Sequence, residues 1–109
     1  MTGVQTCALR SAGAWNGLGD ICSEEGRTKH DIDQLIDALY MYLRGCTVYA
    51  PVAGEASDQI ERSLAGSARC FSYIADLEPN KDKKNDYKQR AARTKERLKK
   101  EYPSSSFIE

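Results

Sequence analysis

The sequence lacks several features that would assign a function at once. Its 109 residues include one histidine, three prolines and four widely separated cysteines. No two cysteines have the short spacing that structural zinc sites use, so such a site is not indicated. No apolar run approaches the ~18 residues that a membrane-spanning helix needs. The start of the chain also lacks the basic segment and apolar run of a secretory signal peptide. What is left is one small domain with a modest core.

Catalytic patterns are equally scarce. The single histidine, His30, lies in a polar connection beside Asp31 and Asp33, where a solvated loop residue is more typical than a base or a ligand. Gly17-x-Gly19 follows no predicted strand, so it favours close helix packing over phosphate binding. No Ser-His-Asp set or Cys-His pair is apparent. We therefore predict no catalysis, no cofactor and no metal.

Three cysteines, Cys22, Cys46 and Cys70, fall on apolar faces of predicted helices. A buried free cysteine packs as a small hydrophobic residue, and we predict this role for all three. A disulfide among them stays an open alternative, because the sequence does not show which sulfur atoms meet.

Charge is unevenly distributed, although the formal net charge is zero. Residues 81–100 contain ten basic and three acidic side chains, so this segment carries +7 and the remainder −7. Such a run is most often the solvated face of a terminal helix, which also caps a helical stack. The alternative is contact with nucleic acid phosphates. The basic patch of that alternative comprises Lys83, Lys84, Lys88, Arg90, Arg93 and Lys95.

The stretch 31–51 predicts the central helix of the fold. Its apolar residues recur at steps of three and four, which places them on one helical face, and a second apolar face flanks the first. A helix that is apolar on two sides needs a packing partner on each. The first face comprises Ile32, Leu35, Ile36, Leu39, Leu43 and Cys46, and the second comprises Ala38, Tyr42 and Tyr49.

Similar spacing predicts three more helices, and the short connections favour antiparallel neighbours. Gly26 is expected to end the first helix, since glycine tolerates the left-handed conformation. Ala50 is expected to end the second, because the residue before a proline avoids the helical region. The predicted helices cover about 12–25, 31–50, 55–77 and 82–102. The first is expected to pack through Ala14, Leu18, Ile21, Cys22 and Glu25.

Two stretches resemble tetratricopeptide repeats. Ala14-x-x-x-Leu18-Gly19-Asp20-Ile21, Gly26, Ala38-x-x-x-Tyr42 and Tyr49-x-Pro51 look like one unit. The stretches 64–71 and 97–103 look like a terminal unit, and the closing LKKEYPSS resembles the ending of such repeats in bacterial proteins. Both units are longer than the roughly 34 residues of the family. The proposed hairpins span 12–51 and 52–103, followed by a tail over 104–109.

The resemblance implies an all-α array of about four helices, stacked as antiparallel hairpins. It also implies a scaffold that binds a protein or peptide in a groove between hairpins, lined by the first and third helices. The candidate partner-binding residues are polar positions on these helices: Asn16, Asp20, Ser63, Ser67, Arg69 and Tyr73.

The first eleven residues, MTGVQTCALRS, resemble the conceptual translation of a short-read sequencing adapter, as found at the start of genes from metagenomic assemblies. We therefore expect a non-native leader over 1–11 and leave it out of fold prediction. The alternative is a natural N-terminus without ordered structure. With a leader, the chain is the C-terminal fragment of a longer repeat protein, and the apolar end of its first helix is expected to self-associate. No compartment follows from the sequence.

Overall fold

The structure, a computed structural model, describes residues 2–47 and 57–108, and it describes side chains for 13–46 and 58–108. These residues form four α-helices in chain order. No strand occurs in either described range, so the predicted all-α fold is confirmed. The helices are α1 (Thr2–Lys29), α2 (Ile32–Thr47), α3 (Ser57–Leu77) and α4 (Lys81–Glu101).

The bounds of α3 and α4 agree closely with the predicted ones. α3 ends just before Pro79, and α4 begins after Asn80, which caps it. The Asn80 side chain accepts hydrogen bonds from the backbone N–H groups of Asp82 and Lys83 at 3.0 and 3.1 Å. These bonds satisfy two amides that lack partners in the first helical turn. The predicted end of the second helix near Pro51 and the turn at 52–54 lie outside the described residues.

The end of α1 differs from the prediction. Gly26 lies inside the helix, where a Cβ atom would come within 2.9 Å of the Leu35 side chain. The left-handed position is taken by His30, with φ 54°. The N–H of Asp31 donates to the Gly26 carbonyl at 2.9 Å, and the N–H of His30 donates to that of Arg27 at 3.4 Å. This bond pair is a Schellman motif. Gly26 therefore allows α2 to approach closely and does not end α1.

α1 packs through small and polar residues, contrary to the prediction. Leu18 and Ile21 are 48% and 61% exposed, whereas Asn16, Gly19 and Ser23 are buried. Of the predicted packing face only Cys22 contacts the core. The rest of the prediction was wrong because the apolar pattern ranks positions by hydrophobicity, while the close approach of neighbouring helices selects small side chains. The backbone of α1 also begins at Thr2, earlier than expected. The origin of residues 1–11 stays a prediction.

α2 contacts α1 on one side and α3 on another, as its two apolar faces predict. Two of its three deepest positions, Ala38 and Tyr42, lie on the face that was expected to flank the main one, and the third, Leu35, lies on the main face. Ala38 and Tyr42 are essentially inaccessible, together with Leu35. Ile36 and Leu43, from the face expected to dominate, stay exposed. The core of the first hairpin is therefore built around Ala38 and Tyr42.

Tyr42 lies at the point where three helices meet. Cβ atoms added at Gly19 of α1 and at Gly66 of α3 would both fall well inside van der Waals contact with its ring. Ala38 and Cys70 complete the same buried cluster. The two glycines therefore let α1 and α3 close around one aromatic ring.

The second hairpin packs through one apolar face of each helix. Leu64, Ala68 and Ile74 of α3 are buried, and so are Ala91 and Leu98 of α4. Among the four helices of the described ranges, α4 contacts only α3, so one apolar face is enough for it to pack. The architecture is thus two helical hairpins, α1–α2 and α3–α4, stacked through contacts of α3 with both helices of the first.

Candidate functional site

Polar side chains follow the contact between α1 and α3, and we call this row the α1–α3 seam. The Ser63 hydroxyl donates to Asn16 Oδ1 at 2.7 Å, and about two helical turns further along both helices the Cys70 thiol donates to Ser23 at 3.4 Å. Because these pairs advance in the same direction along both helices, α1 and α3 run parallel. The seam comprises Asn16, Asp20 and Ser23 of α1 with Gln59, Arg62, Ser63, Arg69 and Cys70 of α3.

Asn16 is fully buried and fully hydrogen-bonded. Its Nδ2 donates to the Gln59 backbone carbonyl at 3.0 Å and to Gln59 Oε1 at 2.9 Å. Its Oδ1 accepts from Ser63, which is itself only 1% exposed. Both amide donors and the carbonyl oxygen are therefore satisfied inside the protein, as a buried amide requires. The side chains of Asn16 and Ser63 are therefore both buried away from the surface.

Asp20 connects three helices through one carboxylate. Its Oδ1 accepts from the Tyr42 hydroxyl, and its Oδ2 accepts from Arg62, whose Nε lies at 3.2 Å. Arg69 Nη2 lies 4.0 Å from Oδ1. Burial, and next the hydrogen bond to Asp20, raise the pKa of Tyr42, so this hydroxyl stays protonated. The carboxylate therefore serves structure at the seam.

The described cysteines, Cys22, Cys46 and Cys70, are free thiols. Burial is the main cause that raises the pKa of Cys70, to about 11, and it also raises the pKa of the other two. Because the thiolate is the reactive form, protonated thiols of this kind are poor nucleophiles at neutral pH. The predicted core role is confirmed for Cys70, and Cys22 packs against the same cluster.

Within the described residues, the other side chains considered for catalysis or metal binding do not come together in one site. His30 is exposed at the α1–α2 connection. In the two described ranges, no group of three or more His, Cys, Asp or Glu side chains is placed to hold a metal ion. Among the helices with described residues, none is both long enough and apolar enough to cross a bilayer.

A cleft of about 430 Å³ opens between α3, α4 and the segment that follows α4, and we call it the α3–α4 cleft. Ala65, Ala68 and Leu98 form an apolar floor, and Tyr73 lies at its side. Phe107 and Ile108 line it from the C-terminal segment. Three cations also line it: Arg69, Lys95 and Lys99.

A shallower hollow continues the cleft along both helices. The two share Ser72 and Lys95, and the hollow adds Ala75 and Ala91 to the floor. Its other charged side chains are Lys88 and Asp76.

Positive charge dominates this surface. Within the described side chains, Lys88, Lys95 and Lys99 form no ion pair, and Arg69 has only its long contact with Asp20. The cleft thus combines small apolar residues with cations that are available to an anionic group.

The predicted partner-binding residues do not form one site. Asn16 and Ser63 are buried in the seam, which closes the expected groove between α1 and α3. Arg69 belongs to the seam and also lines the α3–α4 cleft, where it is joined by Tyr73. Ser67 is half-buried on α3 and lines neither hollow.

The predicted basic patch on α4 is divided by helical spacing. Lys84, Lys88 and Lys95 lie at i, i+4 and i+11, on the side of the cleft. Lys83 and Arg90 lie at i and i+7, on another side, and Arg90 pairs with Asp86 at 2.9 Å. Arg93 is exposed.

The sequence indicates close helix packing at the small residues 65–68, but it did not identify them as the floor of a cleft. Ala65, Ala68 and Ser72 recur at steps of three and four, a small-residue row that signals close approach of another helix. Phe107 and Ile108 gave no signal, because the course of a short tail is set by tertiary contacts.

Comparisons of this chain with protein-family models, with curated proteins and with solved structures found no match.

Proposed function

We propose that this chain is a protein-binding module of stacked helical hairpins, similar to tetratricopeptide repeats, with no reaction of its own. The α3–α4 cleft receives a segment of a partner protein. Arg69 and Tyr73, among the residues expected to bind a partner, contribute to this surface.

One observation carries the proposal. The cleft has a volume typical of ligand sites, an apolar floor of small residues and polar groups at its sides. It also lies along two neighbouring helices, which is the shape used by grooves that bind helical segments.

Filling the cleft tests the proposal. Proteins captured by the immobilised chain are identified, and the purified partner is titrated against Ser72→Trp, which places a large ring where both hollows meet. We expect affinity to fall at least about tenfold. Gln89→Trp, an exposed change on α4, is the matched control and should bind as the parent does. Equal binding by both variants would exclude the cleft.

Contact with nucleic acid is the second candidate, favoured by the cations on α4. Lys83, Lys84 and Arg93 have no ion pair within the described side chains. This function requires RNA or DNA binding that weakens steeply with salt. It also requires that Lys83→Glu with Arg93→Glu weakens binding, while Ser72→Trp does not.

A further inference from the structure

In the first hairpin, α1 and α2 together form the surface on which α3 packs. α3 lies on α1 through Asn16, Asp20 and Ser23, which are spaced i, i+4 and i+7. It lies on α2 beside Ala38, Tyr42 and Gly45, which have the same spacing.

The second hairpin repeats both spacings. Ala65, Arg69 and Ser72 of α3 lie at i, i+4 and i+7 and line the cleft. Ala91, Lys95 and Leu98 of α4 have the same spacing and line the cleft or the hollow that continues it. The α3–α4 cleft therefore corresponds to the surface of the first hairpin that holds α3.

Charge distinguishes the two surfaces. The middle position on α1 is Asp20, and the helix seated there presents Arg62 and Arg69 to it. The middle positions of the second surface are Arg69 and Lys95, with Lys99 beside them. Asp76 is the one acid among the described residues that line the cleft and its continuation. A helix that fits this surface therefore carries carboxylates where α3 carries guanidinium groups.

We infer that the partner segment is an acidic amphipathic helix that lies along the α3–α4 cleft, in the place that α3 occupies on the first hairpin. Its apolar side contacts Ala65, Ala68 and Leu98, and its carboxylates face Arg69, Lys95 and Lys99. This inference rests on the proposed function and adds the class of partner to it.

The dimensions fit a short helix. The lining residues of α3 extend from Ala65 to Asp76, which is about 16 Å, or three helical turns, at the rise of an α-helix. Ile108 packs against Leu64, Ala65 and Leu98 and closes the cleft at that end.

A charge-reversed copy of α3 is a direct probe. A labelled peptide copies residues 58–77 with Arg62→Glu, Arg69→Glu and Cys70→Ser, and the matched peptide keeps both arginines. Fluorescence anisotropy with the full chain should show that the acidic peptide binds at least about tenfold more tightly than the matched one. Its helical circular dichroism should increase on binding.

Two double variants of the full chain separate a specific site from general attraction. Lys95→Glu with Lys99→Glu should weaken binding of the acidic peptide about tenfold. Lys81→Glu with Lys83→Glu changes net charge equally on the same helix, outside the cleft, and should leave binding within about twofold.

Four results would overturn the inference: equal loss in both double variants, equal binding of both peptides, binding without gained helicity, or no saturable binding up to about 1 mM. A purified partner whose binding is abolished by Ser72→Trp but unchanged by Lys95→Glu with Lys99→Glu would also overturn it. That last result would leave the proposed function standing.

Discussion

At the scale of single residues, the ring and the hydroxyl of Tyr42 act on different neighbours. The ring fits against Gly19 and Gly66, while the hydroxyl donates to Asp20. Glycine is needed at both positions because a Cβ atom would overlap the ring, and not because the backbone is strained. Gly17 lies on α1 too, but an added Cβ would meet no heavy atom of the described residues within 4 Å.

Substitution by alanine should change the free energy of unfolding in opposite directions at Gly66 and at Gly17. Gly66→Ala forces the Tyr42 ring or the helices to move, and overpacking of this kind lowers the free energy of unfolding by about 1–3 kcal/mol. Gly17→Ala should raise it by up to about 1 kcal/mol through helix propensity. Urea unfolding followed by circular dichroism measures both. An unchanged midpoint for Gly66→Ala would refute the close packing of the Tyr42 ring against Gly66.

Alkaline pH should destabilise the protein. The pKa of Cys70 is raised from 9.0 to about 11, and that of Tyr42 is raised above its ordinary 10.0. Above about pH 9 the unfolded chain therefore releases protons that the folded chain retains, so stability falls as pH rises. Each group contributes a slope of up to about 1.4 kcal/mol per pH unit. Urea midpoints should decline across this window, and Cys70→Ala should decline less. A flat profile would contradict the burial of both groups.

At the scale of elements, helix ends are fixed by residues that satisfy free backbone groups. Asn80 caps α4 with its side chain. Asp31 accepts from the N–H of Gln34 at 3.2 Å and so caps α2 directly after the Schellman motif at His30. The connection between α1 and α2 is therefore fixed by local hydrogen bonds on both sides.

Glycine at position 30 should stabilise the protein. His30 has φ 54°, which costs about 1 kcal/mol for a residue with a Cβ atom and little for glycine. We expect His30→Gly to raise the free energy of unfolding by about 1 kcal/mol. His30→Ala, which keeps a Cβ atom, is the control and should gain less. A lower melting temperature for His30→Gly would show that the imidazole contributes contacts of its own.

Helix number and most helix ends could be predicted from the sequence, because proline, capping residues and apolar spacing act locally. The faces of α1 could not, since Asn16 and Ser23 are buried by tertiary contacts, with α3 for both residues and also with Gly45 of α2 for Asn16. The cleft could be predicted only in part. Arg69 and Tyr73 were candidates as polar residues, but their meeting with Lys99 depends on how α3 packs against α4.

At the scale of the whole molecule, the outer surfaces of α1 and α2 expose large apolar side chains. α1 directs Leu18 and Ile21 outward, and α2 directs Ile36, Tyr40 and Leu43 outward. The seam and the cleft lie on other sides of the stack. Exposed apolar groups of this kind favour association with another surface.

Self-association should follow from the outer side of α1. We expect the sedimentation-derived mass to rise above the 12.1 kDa of one chain as concentration increases. Leu18→Lys with Ile21→Lys should keep the chain monomeric, because charge on this face opposes its burial. Gln89→Lys, at an exposed polar position of α4, is the control and should associate as the parent does. A constant mass of one chain across the concentration range would contradict the prediction.

The α1–α3 seam also determines how the hairpins are aligned. Small residues between helices would permit sliding, since one smooth surface fits another at several registers. A slide by one turn, about 5.4 Å, would move the Asp20 carboxylate toward the buried site of the Asn16 amide and away from Arg69. That site satisfies a neutral amide, and a carboxylate is costly to bury there, so that register is disfavoured. The polar pairs of the seam thus fix one register between two hairpins whose small-residue surfaces would otherwise allow several.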